Sequence, residues 1–129
     1  MPLIAIKALP FETQVEIDDA LKSLSEQIAI QCEISLEHIM ITWEWINNDH
    51  YIHNGEVVEK QQQITHPVLI ELTAPNYYSQ QNIMFLMELI AKDISSNLPV
   101  NKSNIFISFT PAYSDGIYDH GSVINWDDS

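Results

Sequence analysis

Few side chains in this sequence are spaced for chemistry. The five histidines, His38, His50, His53, His66 and His120, fit no metal-binding pattern: HExxH and CxxC are both absent, and Cys32 has no second cysteine beside it. His50 and His53 fall in a stretch that reads as loop. The expectation is therefore no metal and no cofactor. Cys32 lies between Ile30 and Ile34 and reads as a packed thiol rather than a nucleophile. As the single cysteine it excludes an intrachain disulfide, which points to a reducing, cytoplasmic setting. Glu44, between Trp43 and Trp45, is either a buried acid or a strand carboxylate facing Lys7 or water; the second is the expectation. Lys7, Lys60 and the other lysines could each bind an anion, but singly each reads as a solvated cation. With three glycines there is no phosphate-cradling loop and no nucleophile elbow.

The elements that could position such residues follow from composition and periodicity. A chain of 129 residues, 46% hydrophobic, is sized for one domain with its own core, so residues 1–129 read as a single unit. Eighteen acidic residues face five basic ones, all lysines, for a formal net charge of -13. That field repels phosphate backbones and anionic membrane surfaces, so neither nucleic acid nor membrane is expected as a partner. No stretch is long and apolar enough to span a bilayer, and the first residues lack the pattern of an export signal.

Leu3 to Ile6 reads as a short strand, and Pro10 as a break after it. Thr13-Gln14-Val15-Glu16 has the form of a capping box, and Ile17, Leu21, Leu24 and Ile28 then recur at helical spacing. A strand follows from about Ile39 to Ile46. The second half repeats this order, with strands at Val68 to Ala74 and Ile105 to Thr110 and Ser79 as a helix cap. At an offset of 66, the four helical residues map onto Ile83, Met87, Ile90 and Ile94, and Ile39-Met40-Ile41-Thr42-Trp43 maps onto Ile105-Phe106-Ile107-Ser108-Phe109. Agreement in apolar phase across a helix and its following strand implies duplication. The fold class is therefore α/β, an α+β sandwich: two pseudo-repeated β-α-β units, about 2–46 and 67–110, form a four-stranded mixed sheet with two helices on one face.

Alternation sends Ile4, Ile6, Ile39, Ile41, Ile70, Leu72, Ile105 and Ile107 toward the helices. The other face mixes Lys7, Thr42, Glu44, Glu71, Thr73 and Ser108 with Leu3, Ala5, Met40, Leu69 and Phe106, a composition suited to a subunit interface or a wet interior. Residues 47–66 form an insertion whose Asn54-Gly55 signals a hairpin with a type I′ turn. Residues 111–129 form a tail with turns at Asp115-Gly116 and His120-Gly121. Its apolar residues have two places to pack, a neighbouring subunit or the chain's own sheet edge.

A chain starting Met-Pro-Leu-Ile, with two offset-matched β-α-β units and a C-terminal hairpin, resembles the tautomerase superfamily over nearly its whole length. That superfamily includes macrophage migration inhibitory factor and 4-oxalocrotonate tautomerase, and the inserted hairpin looks closer still to a bacterial branch of it. The resemblance implies a homotrimer that acts on or binds a small molecule without a cofactor. It also implies removal of the initiator Met, leaving Pro2 as the general base. A secondary amine held stiffly by its ring can carry a proton between carbon and oxygen once its pKa is lowered. Alignment on the turn after the first helix puts Ile34 where macrophage migration inhibitory factor has its active-site lysine. Phe106 and Ser108, reaching in from an adjacent chain, fall where it has a tyrosine and an asparagine. Ala74 beside Pro75 keeps the apolar wall in kind. The arginines that hold dicarboxylic substrates in this superfamily have no counterpart, since the chain contains none. Two functions follow as expectations: a keto-enol isomerase for an aromatic or weakly charged carbonyl compound, or a non-catalytic trimeric binding or assembly module.

Overall fold

The offset repeat appears in three dimensions as two β-α-β units sharing one sheet. In the computed structural model, which describes residues 1–127, the first unit comprises β1 (Leu3–Ala8), α1 (Ile17–Cys32) and β2 (Met40–Trp45). Two short strands of the insertion, β3 (Ile52–His53) and β4 (Glu56–Val57), precede the second unit, β5 (Val68–Pro75), α2 (Gln80–Asn97) and β6 (Ile105–Ala112). The tail hairpin is β7 (Ile117–Asp119) and β8 (Ser122–Ile124). The expected tail reached residue 129, and positions 128 and 129 lie outside the described residues.

The main sheet runs β2-β1-β5-β6, with β1 parallel to β2, β5 parallel to β6, and β1 antiparallel to β5 at the centre. The duplication holds in the register itself: Leu3 pairs with Met40 as Leu69 pairs with Phe106, each 66 positions on. It holds in the connections too, since a single 3₁₀ turn at Leu36–His38 returns as one at Lys102–Asn104.

Both helices lie on one face. Leu24 and Ile28 of α1 and Leu86, Ile90 and Ile94 of α2 join Ile4, Ile6, Val68, Ile70 and Leu72 in one buried cluster. Burial of that apolar surface is the main force holding the layers together. Ile41, Ile105 and Ile107 face the same core but stay partly exposed because they belong to the outer strands, as does Ile39 just before β2. Between the helices, both carboxylate oxygens of Asp93 accept from the Ser23 hydroxyl at 3.2 Å. The opposite sheet face is open and carries the expected mixture, with Met40 exposed beside Leu3 and Phe106 exposed by Lys7, whose charge lies 4.0 Å from that of Glu44. Glu44 is thus the water-facing strand carboxylate of the two readings, its side chain 72% exposed.

One local expectation fails. The Thr13–Glu16 capping box does not form: Glu16 itself is the N-cap residue of α1, and no side chain caps the helix there. Thr13 lies upstream in the bend that follows the buried Phe11, too early to reach the first turn. Asp18 and Asp19 in that turn instead complement the helix dipole. Ser79 does cap α2, its hydroxyl accepting from the Asn82 amide at 3.1 Å.

The insertion forms the expected hairpin, with Asn54 and Gly55 both at positive φ, 54° and 77°. Buried polar side chains tie it down. The Gln61 carbonyl oxygen accepts from the Leu9 amide at 3.1 Å, and its amide group donates to the backbone oxygens of Gln62 and His66. Asn104 donates to the same two oxygens, at 3.0 and 3.1 Å. The Tyr51 hydroxyl donates to the backbone oxygen of Pro67 at 2.7 Å. The end of the tail packs on the turn that follows β5. The Trp126 indole donates to Asn76 at 3.0 Å and its ring meets Tyr77 edge-on, while Tyr118 and Val123 remain exposed.

Candidate active site

Pro2 precedes the first residue of a central strand, which fixes its surroundings. One step beyond the Leu3–Thr73 pair, the antiparallel register sets Pro2 opposite Ala74. By alternation both share the helix-side face with Ile4 and Leu72. Pro2 is accordingly less than 2% exposed, and Ala74 and Pro75 are buried beside it. The Pro2 carbonyl accepts from the Met40 amide at 3.1 Å, so β2 pins this end of β1.

After Pro75 the chain turns, with the Tyr78 amide donating to the Pro75 oxygen at 3.1 Å. That turn directs the Tyr78 hydroxyl to the backbone oxygen of Met1 at 2.8 Å, a contact spanning 77 residues. The Tyr78 ring also lines a cavity of about 530 Å³ between the end of α1 and the start of α2, together with Cys32, Glu33, Ile34, Tyr77, Asn82, Phe85 and Leu86. Glu33 ends α1 in the left-handed region, φ 55° and ψ 45°, a conformation that costs a non-glycine residue on the order of 1 kcal/mol. Its turn delivers Ile34 to the cavity wall.

The titratable groups here are governed by desolvation. Burial pushes the Cys32 thiol up. The Tyr78 hydroxyl is raised by burial first, then by Tyr77 and Cys32. The amine of Met1 is lowered, because burial disfavours its charged form more strongly than the nearby Asp119 favours it. Asp119 comes from β7, so the tail hairpin supplies the one opposing charge. Next to it, the ring of His120 stands 6.1 Å from that of His38.

Of the residues singled out from sequence, Pro2, Ala74 and Pro75 come together at the start of β1, and Ile34 lines the adjacent cavity. Phe106 and Ser108 do not join them. They line a shallow depression of about 230 Å³ on the open sheet face with Ala5, Lys7 and Glu71, toward the far end of β6 from Pro2. Within one chain they cannot reach the Pro2 site. Sequence reading missed Tyr78, Tyr77, Phe85 and Asn82. The usable signal was the Tyr77-Tyr78 pair directly after the Ala74-Pro75 wall. Among the described residues, one group of three possible metal ligands clusters, the exposed carboxylates of Glu16, Asp18 and Asp19, and no histidine belongs to it.

No family model and no curated protein sequence matches the chain. Solved structures do. The chain matches Pt0534 inactivated by 2-oxo-3-pentynoate with a TM-score of 0.81 at 10% identity, over 95% of this chain and 94% of that one. A fused 4-OT wild-type symmetric trimer matches at 0.79 and 12% identity, over 95% and 94%. A macrophage migration inhibitory factor homologue from Prochlorococcus marinus matches at 0.74 and 17%, over 95% and 99%. The chain therefore has the α+β fold of the tautomerase superfamily, as the duplicated sequence led us to expect. In particular, it shares near full-length topology with both fused 4-OT and macrophage migration inhibitory factor homologues. No helix among the described residues is long and apolar enough to cross a membrane.

Proposed function

We propose that this protein is a member of the tautomerase superfamily that moves a proton between carbon and oxygen of a small, aromatic or weakly charged carbonyl compound, with Pro2 as the base once Met1 is removed. The observation that carries this reading is the burial of Pro2 at the head of a central strand, on the side of the sheet that holds the cavity lined by Ile34 and Tyr78. An amine freed there loses solvation. Desolvation already outweighs Asp119 at the Met1 amine, which is less buried, and the same sign is expected for Pro2. With a net charge of -13, burial must supply the downward shift.

The working unit in this reading is a homotrimer of about 44 kDa, in which a neighbour's Phe106 and Ser108 complete the pocket. The open sheet face, with Met40 and Phe106 exposed beside Leu3, Ala5 and Leu69, supports it. So does the trimeric state named for the fused 4-OT.

A second reading is favoured by one feature of the cavity: Ile34 stands in its wall, and no lysine, arginine or histidine lines it. On that reading the chain is a trimeric binding or assembly module without catalysis. Intact mass of protein expressed without an N-terminal tag, followed by enol-keto exchange of a phenylpyruvate-type compound, separates the two. The enzyme reading expects loss of Met1, exchange that falls as pH drops through the amine pKa, and no exchange in Pro2→Ala of unchanged fold. Quantitative retention of Met1, which leaves an amide nitrogen, or equal rates for wild type and Pro2→Ala, sinks it and leaves the binding module.

A further inference from the structure

We propose that Tyr78 is the hydrogen-bond donor to the carbonyl oxygen of the substrate, and that the backbone carbonyl of Met1 occupies that oxygen's place until Met1 is removed. The inference rests on the reading of Pro2 as the base. The Tyr78 hydroxyl donates to the Met1 oxygen at 2.8 Å, and the carbon bearing that oxygen is bonded directly to the Pro2 nitrogen. An acceptor oxygen beside the nitrogen, held by a phenol, is the arrangement a carbonyl substrate needs: its oxygen on the donor and its acidic carbon near the base. Removal of Met1 takes away the acceptor and frees the amine in one event. It leaves a half-buried hydroxyl whose partner has gone, facing a new secondary amine. That hydroxyl is left to water or to the freed amine, so a carbonyl ligand that restores the bond finds a donor in place.

Three further features suit Tyr78 to the task. The bond from its amide to the Pro75 oxygen fixes its backbone, and Tyr77 packs against its ring with centroids 5.5 Å apart. Its ring lines the 530 Å³ cavity, so the ligand's remaining atoms have a place among Ile34, Phe85 and Leu86. Burial, then Tyr77 and Cys32, keep the hydroxyl protonated and hence a donor at neutral pH. In the keto-to-enol direction the Pro2 nitrogen takes the α-proton, and the C–H electron pair becomes the C=C bond. The carbonyl π pair moves onto oxygen under the Tyr78 hydrogen bond, and the prolinium returns the same proton to that oxygen. Nothing is oxidised or reduced, and no co-reactant is consumed.

The test compares Tyr78→Phe with Pro2→Ala in protein lacking Met1. Tyr78→Phe should lower kcat about 100-fold with little change in KM. It should keep the acidic limb that Pro2 gives the pH profile and abolish the alkaline limb that comes from the phenol. Loss of exchange in Pro2→Ala together with a Tyr78→Phe rate within about threefold of wild type, well short of the donor effect, overturns the inference and leaves Pro2 as base. Absence of exchange in processed wild type overturns both. Should Tyr78→Phe fail to fold, infrared spectroscopy of the wild type with a carbon-13-labelled, non-enolisable aryl aldehyde decides alone. A bound carbonyl stretch below its value in water supports the assignment, and one at or above that value refutes it.

Discussion

Removing Gln61 and Asn104 together should cost more than the sum of removing each, because they share acceptors. Gln61 is 4% exposed, and its carbonyl oxygen is the acceptor for the Leu9 amide. Its amide group and that of Asn104 both donate to the backbone oxygens of Gln62 and His66. Gln61→Leu therefore orphans one buried group, the Leu9 amide, at about 1–3 kcal/mol, while Asn104 still serves both carbonyls. Asn104→Leu orphans none of these groups and should cost about 1 kcal/mol, the net worth of the bonds lost. In the double variant the buried His66 oxygen has neither donor, which adds a further ~1–3 kcal/mol that neither single change incurs. The total, roughly 3–7 kcal/mol, is a large part of the stability of a typical domain. Urea unfolding of the four proteins, read by tryptophan fluorescence with linear extrapolation, measures the cycle. A coupling energy under about 0.5 kcal/mol would show that the shared-acceptor reasoning is wrong.

Asp93 should destabilise the fold at neutral pH. Burial raises its folded pKa despite the opposing Ser23 hydrogen bond, so its contribution is fully present below the unfolded carboxylate pKa and is lost as pH rises through the folded one. Asp93→Asn, which can still accept from Ser23, should gain more stability relative to wild type at pH 7 than near pH 3, a difference kept small by solvent screening; an equal change at both would contradict this. Ser79→Ala removes the α2 cap and should cost about 1 kcal/mol, while Thr13→Ala, outside α1, should cost a few tenths at most. Equal losses in urea unfolding would restore the capping box at Thr13. If the cavity is the substrate site, Glu33 and the absence of lysine, arginine and histidine from its lining should favour a neutral ester of a keto acid over the free acid by about tenfold in kcat/KM, and a preference for the carboxylate would count against that site.

The layer architecture was legible because apolar phase repeats: a spacing of 66 fixed which residues of each helix and strand face the core, and the observed register keeps that spacing to the residue. Local hydrogen-bond chemistry was legible in part. Asn54-Gly55 and Ser79 behave as written, whereas Thr13 and Glu16 have the right types at the wrong distance from the helix start. Tyr78 could not be assigned a partner, because its hydroxyl meets a backbone oxygen 77 residues away and sequence patterns carry no distances. The anchoring of the insertion was hidden for a related reason. In the run Gln61-Gln62-Gln63 only Gln61 is buried, a distinction made by where Leu9 and Asn104 happen to lie. Phe106 and Ser108 belong to the pocket only if another chain brings them there, a question of assembly rather than of local pattern.

The two carbonyls that accept from Tyr78 and Tyr51 are related by the duplication, although the tyrosines themselves are not. Shifted by 66, Met1 and Pro2 fall on Pro67, which leads into β5, and Val68, its first residue. Tyr78 donates to the Met1 oxygen and Tyr51 to the Pro67 oxygen, and burial raises the hydroxyl pKa of both. The molecule thus holds two renderings of one doorway. The second is bricked up by the polypeptide running through it, with Val68 and His66 both buried there. Only the first of the two carbonyls belongs to the residue whose removal the proposed function requires. The second pairing thus has a phenol and a strand-leading carbonyl but no nitrogen that could be set free.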